Sequence, residues 1–122
     1  MVRNMILAAA IVLAGAGGAA AANVITTPML TGIADGGYNC SVVNVSSSRV
    51  KVKVAILPSG QDTEETELEP GDDLGVSTQS QQGSQEYCRV TTRGSKSALR
   101  VSFEARTGRV PFGQTFAVVQ GQ

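Results

Sequence analysis

Between Arg49 and Ile56 the chain alternates without a break. Val50, Val52, Val54 and Ile56 interleave with Arg49, Lys51, Lys53 and Ala55. Successive side chains of a strand point to opposite faces, so this run presents one β-branched face to a core and one charged face to water. A helix would scatter the same residues around its axis. The pattern recurs where Cys88, Val90 and Thr92 alternate with Tyr87, Arg89 and Thr91. It recurs again where Leu99, Val101, Phe103 and Ala105 alternate with Arg100, Ser102 and Glu104. From Tyr38 to Val45, Tyr38, Cys40 and Val42 share one face, and Ser41, Val43 and Val45 the other. No uninterrupted apolar stripe of helical period is long enough for a helix, so the chain reads as strand, turn, strand throughout.

The links between these runs carry turn chemistry. Ser46-Ser47-Ser48 predicts a hairpin joining the strand before it to Val50–Ile56, and Pro58-Ser59-Gly60 ends the latter. Arg93-Gly94-Ser95-Lys96-Ser97 predicts a second hairpin loop. Val24 to Leu30 reads as a first strand, confined to an edge by Pro28. Thr31 to Gly37 is a turn-rich connection. Thr63 to Glu69 is acidic, Pro70-Gly71 turns, and Leu74, Val76 and Thr78 suggest a short strand. Gln79 to Gln85 has no apolar residue and predicts an exposed, mobile loop. A last strand is expected over Thr115 to Val119, after a Gly108 to Gly113 link. About seven or eight short strands with turn signals at this spacing predict a small antiparallel β-sandwich.

Residues 1–22 read as a cleaved secretory signal. Arg3 supplies a positive start, and Met5 to Ala14 an apolar segment. Ala20-Ala21-Ala22 gives the small-x-small pattern that places the cut before Asn23. Spanning hydrocarbon takes about 20 strongly apolar residues, and the second half of this stretch is only Ala and Gly. The expectation is a secreted or periplasmic protein with no membrane insertion after cleavage. An Ala-rich leader of this kind points to a bacterial source. Residues 23–122 then make a single domain.

That domain has little with which to fill a core. It has no Trp, and its aromatic residues are Tyr38, Tyr87, Phe103, Phe112 and Phe116. Cys40 and Cys88 allow one pairing, and an oxidising compartment predicts a disulfide between them. In the chain-entropy model, closing a loop of about 48 residues contributes on the order of 4 kcal/mol. A reactive thiol is disfavoured, since the spacing is not C-x-x-C and no His activates either sulfur. A bridge from an early strand to a late one resembles the inter-sheet disulfide of immunoglobulin-like domains. The resemblance is one of architecture. The core Trp is missing, and Tyr87 sits beside Cys88 rather than two residues before it.

Histidine is absent altogether. This excludes Ser-His-Asp and Cys-His nucleophilic systems and most zinc and copper sites. With Ser-Lys and carboxylate-pair chemistry unmarked, no enzyme and no cofactor is expected. Ten basic and ten acidic residues leave no net charge. Nucleic-acid binding is therefore not expected.

Two charge clusters remain. Asp62, Glu64, Glu65, Glu67, Glu69, Asp72 and Asp73 form an acidic stretch. One reading is a loop calcium site on Asp62, Asp72 and Asp73. The other is a solvated edge strand whose charges oppose aggregation. A basic stretch follows, with Arg89, Arg93, Lys96, Arg100, Arg106 and Arg109. On the predicted hairpin Arg89 and Arg100 point outward, with Arg93 and Lys96 near its tip. They could form a patch for a protein or acidic polysaccharide partner, or simply pair with the acidic segment. The sequons at Asn39 and Asn44 fall in a predicted strand, which argues for coincidence.

The functional expectation is a non-catalytic binding or adhesion-type module. The alternative is a structural subunit that self-associates through edge strands, with Asn23 to Leu30 as the candidate edge. Intact-mass measurement of protein exported by its own leader should give a chain starting at Asn23, lighter by the two thiol hydrogens. A full-length, reduced chain would overturn the export reading.

Overall fold

The computed structural model describes residues 22–107 and 115–121. The proposed leader up to Ala21 and the Gly108 to Gly113 link, with Arg109 and Phe112, lie outside the described residues. Among the described residues ten strands form: β1 (Asn23–Thr26), β2 (Leu30–Thr31), β3 (Gly36–Asn44), β4 (Val50–Leu57), β5 (Gln61–Asp62), β6 (Thr66–Leu68), β7 (Asp73–Ser80), β8 (Gln85–Thr92), β9 (Leu99–Arg106) and β10 (Thr115–Gln120). They make two antiparallel sheets. Sheet I runs β1-β8-β4-β5, with β2 also on β8 and β6 also on β4; sheet II runs β10-β9-β3-β7. Among the described residues the only helix is a single 3-10 turn at Lys96–Ala98.

The alternating runs bury the faces the sequence marks. Val50, Val52, Val54 and Ile56 of β4 point inward, as do Cys88 and Val90 of β8. Tyr38, Cys40 and Val42 of β3 meet them from the other sheet with Leu99, Val101, Phe103 and Ala105 of β9. Cys40 and Cys88 are bonded across the sandwich with their Cα atoms 6.0 Å apart. Cys40 also sits opposite Phe103 in the β3–β9 ladder. Phe103 stacks on Tyr38, ring centroids 5.4 Å apart and 14° from parallel. This aromatic pair fills the centre beside the disulfide, where the chain has no Trp to use.

Both predicted hairpins are corrected. β3 pairs with β7 and β9, not with β4, and β8 pairs with β1, β2 and β4, not with β9. Ser46–Ser48 and Arg93–Ser97 therefore carry the chain from one sheet to the other. Alternation marks which residues face a core, and it is the same for two strands side by side as for two strands facing each other. Asn44 shows what selects the crossing. It is fully buried at the end of β3. Its Nδ2 donates to the carbonyls of Ser48 (2.8 Å) and Leu68 (3.0 Å). Its Oδ1 accepts from the Ser46 amide (3.0 Å) and hydroxyl (2.7 Å). One side chain thus ties the crossing loop to β6 and bends the chain out of the β3 plane.

The inter-sheet disulfide is shared with immunoglobulin domains, but the strand pairing is not. There the strand after the second cysteine pairs with the cysteine strand itself. Here β9 joins the first cysteine strand, β3.

Two local readings also change. The Gln79–Gln85 loop narrows to a turn at Gln81–Ser84, because β7 runs to Ser80 and β8 starts at Gln85. The remaining turn closes with Ser84 N–H on the Gln81 carbonyl (3.0 Å), and Gly83 takes the left-handed φ of +79° that it requires. Ser84 then accepts the buried Tyr38 hydroxyl on its carbonyl at 2.8 Å. At the opposite edge, Pro28 interrupts the pairing of β1 and β2 with β8. Thr27 fills the gap, its N–H donating to the Cys88 carbonyl (3.0 Å) and its Oγ1 accepting from the Cys88 N–H (2.9 Å).

Asn44→Ala strands several buried partners at once and should cost about 1–3 kcal/mol in urea unfolding. Tyr38→Phe keeps the ring stack and loses only the hydroxyl, for about 0.5–1.5 kcal/mol. Equal costs would show that the Asn44 network does not hold the crossing.

Candidate functional site

The charged face of sheet I is built by β4, β5, β6 and β8. Cross-strand pairing sets Lys51 opposite Glu67, and Ala55 between Arg89 and Asp62. The acids and bases interleave. Arg49 Nε lies 2.9 Å from Glu69 Oε1, Lys53 Nζ 3.7 Å from Asp62 Oδ2, and Arg93 Nε 3.2 Å from Glu65 Oε2. Each group is well exposed, so each pair contributes about 0–1 kcal/mol. A shallow cleft of about 260 Å³ between Lys53, Asp62, Glu65 and Arg89 lies on this face. Its charges are mixed, so it has no net preference for an ion of either sign.

The three acids of the proposed calcium site are placed apart in role. Asp62 pairs with Lys53. Asp72 accepts the Glu69 N–H on Oδ2 at 3.1 Å, closing the turn before β7. Asp73 opens β7 opposite Val43. Among the described residues no group of three or more metal-ligating side chains converges.

The basic stretch divides between the sheets. Arg89 and Arg93 belong to the mixed-charge face of sheet I. Arg100 stands on β9 in sheet II, and Lys96 opens the 3-10 turn between them. The hairpin that would have joined all four does not form. Lys96 and Arg100 instead border an open cleft of about 440 Å³. It lies where β1, at the edge of sheet I, approaches the ends of β9 and β10. Its floor is Ile25, Leu99 and Val101, all at most 3% exposed. Ser97, Gln120 and Gly121 also line it, and among the described residues the lining contains no carboxylate. Arg100 is oriented by its own backbone, Nη1 donating to the Leu99 carbonyl at 3.0 Å. Ser95 caps the 3-10 turn by accepting the Ser97 N–H, which fixes where Lys96 begins.

Gly121 lets the chain after β10 lie directly against this floor. Its N–H donates to the Val101 carbonyl at 2.9 Å. A Cβ there would lie 2.8 Å from both Ile25 Cγ2 and Val101 Cβ. A larger residue would push the chain end away from the floor. The sequence pointed to Lys96 and Arg100 but gave no sign of Ile25, Gln120 or Gly121, which come from opposite ends of the domain.

No family model and no curated protein matches the chain. Among solved structures, the fold is similar to that of Thermotoga maritima 1070. The TM-score is 0.53, over 84% of this chain and 94% of that one, with 9% sequence identity. The likeness is one of fold. No helix among the described residues is long and apolar enough to cross a membrane.

A double-mutant cycle on Glu65 and Arg93 should give a coupling below about 1 kcal/mol at low salt, and none near ~1 M. A larger, salt-resistant coupling would show that this face is more than a solvated lattice.

Proposed function

We propose that the protein is an exported, non-catalytic binding module of a bacterial cell, and that it holds an acidic segment of a protein partner in the cleft bordered by Lys96 and Arg100. One observation carries the proposal: two cations stand over an apolar floor with no carboxylate in the lining among the described residues. On sheet I, by contrast, cations and acids stand side by side. A patch whose charges are already paired gains little from a charged partner, whereas an unpaired pair of cations attracts one and orients it. The buried Ile25, Leu99 and Val101 favour a peptide with apolar side chains over a polysaccharide. Export is supported by the leader-like segment and by the disulfide. The absence of histidine and the lack of any marked nucleophile support a binding role over a catalytic one.

The test is fluorescence anisotropy with a labelled peptide of alternating Val and Glu, titrated with the mature domain. Binding should weaken at least ~10-fold in Lys96→Glu/Arg100→Glu, and salt should weaken the wild-type interaction. Arg89→Glu/Arg93→Glu should bind as the wild type does. No measurable binding, or equal loss in both double variants, would overturn the assignment.

A further inference from the structure

Each sheet has two edges, and three of these four differ sharply from the last. β1 is four residues long and is followed by Pro28. β5 and β6 are two and three residues long and lie in the acidic stretch. β10 follows the Gly108–Gly113 link and shows a register break between Thr115 and Ala117. Short length, proline, charge and irregularity are the devices by which sheet edges avoid pairing with other chains. β7 has none of them after Asp73. It is eight residues long, Asp-Leu-Gly-Val-Ser-Thr-Gln-Ser, and pairs with β3 without a break. Among the described residues no strand pairs with its other side.

The phase of its free hydrogen-bonding groups is fixed by its neighbour. Asn44 N–H donates to the Asp72 carbonyl at 2.9 Å, so even-numbered residues of β7 direct their main-chain groups toward β3. The Val45 N–H bond to Ala98 carries the opposite phase of β3 to the β9 side, in agreement. The N–H and C=O groups of Asp73, Gly75, Ser77 and Gln79 therefore point away from the sheet. All four residues are exposed, whereas Leu74, Val76 and Thr78 face the core only half-buried.

We infer that β7 pairs with β7 of a second copy of this chain, antiparallel and centred on Val76. That register is the one in which all four outward residues find each other, Asp73 with Gln79 and Gly75 with Ser77, each twice. It supplies about eight main-chain hydrogen bonds. It also sets Val76 against the partner copy's equivalent Val76 and Leu74 against the equivalent Thr78, covering the half-buried inner side. The charges are compatible, because the two-fold axis sends the only ionised side chains of the strand, the two Asp73, to opposite ends opposite Gln79. The two four-stranded sheets become one of eight strands, within the range of natural open sheets. The surface is separate from the Lys96–Arg100 cleft, which lies by β1, β9 and β10, so either assignment can fail without the other.

Sedimentation equilibrium of the disulfide-bonded domain, up to ~1 mM to capture weak association, should show a dimer. Ser77→Pro removes an outward N–H and leaves the β3 ladder whole. It should sediment as a monomer with an unchanged near-ultraviolet dichroism spectrum. A second pair of variants reads the register without relying on that fold. Under mild oxidation Val76→Cys should form a covalent dimer through the axis, while Ser77→Cys, which faces Gly75, should not. The Lys96→Glu/Arg100→Glu variant should remain dimeric. A monomeric wild type, a dimer that survives Ser77→Pro, or equal cross-linking of the two cysteine variants would overturn the inference.

Discussion

The chain passes from one sheet to the other at five of the nine connections between its described strands, and the rest of the architecture follows from that. β2 to β3, β3 to β4, β6 to β7, β7 to β8 and β8 to β9 all cross the sandwich. Consecutive long strands therefore face each other instead of lying side by side. Every extensive ladder except β9–β10 joins segments distant in sequence, such as β4 with β8 and β3 with β9. Neither sheet can be completed before the other, so the two form as one cooperative unit. A topology dominated by non-local pairing pays loop-closure entropy early and folds slowly for its size. The Cys40–Cys88 bond shortens that search by joining the central strand of one sheet to the central strand of the other.

Crossings this short need specific polar side chains, and four of the five show one. Asn44 organises the β3–β4 loop, and the Asp72 carboxylate closes the turn between β6 and β7. Ser84 anchors the β7–β8 turn to Tyr38, and Ser95 caps the turn between β8 and β9. An apolar core of modest size is thereby framed by hydrogen-bonded corners. Asn44 and several Ser residues thus act as corner pieces whose removal leaves buried groups without partners.

How much of this could be read beforehand depends on the range of the information. The strands around Val52, Val90 and Val101 were legible because burial of alternate residues is a local constraint. The disulfide was legible because only two cysteines exist. Pro28 marked an edge because it lacks an N–H. The hairpins failed because alternation is blind to which sheet a strand joins; only the Asn44 bonds to Ser48 and Leu68 distinguish the cases. For the same reason Arg89 and Arg100, neighbours on a hairpin, end on different sheets. The cleft beside Lys96 was beyond reach, since Ile25 and Gly121 meet only after the whole chain has folded.

The buried amide of Asn44 bears on where such a chain can be made. Asn44-Val45-Ser46 is an acceptor sequence for N-linked sugar, and a secretory pathway that attaches glycans during translocation meets it before any corner has closed. A glycan on that nitrogen would occupy the place of the hydrogen bonds to Ser48 and Leu68. A chain glycosylated at Asn44 should therefore be unable to close the β3–β4 corner.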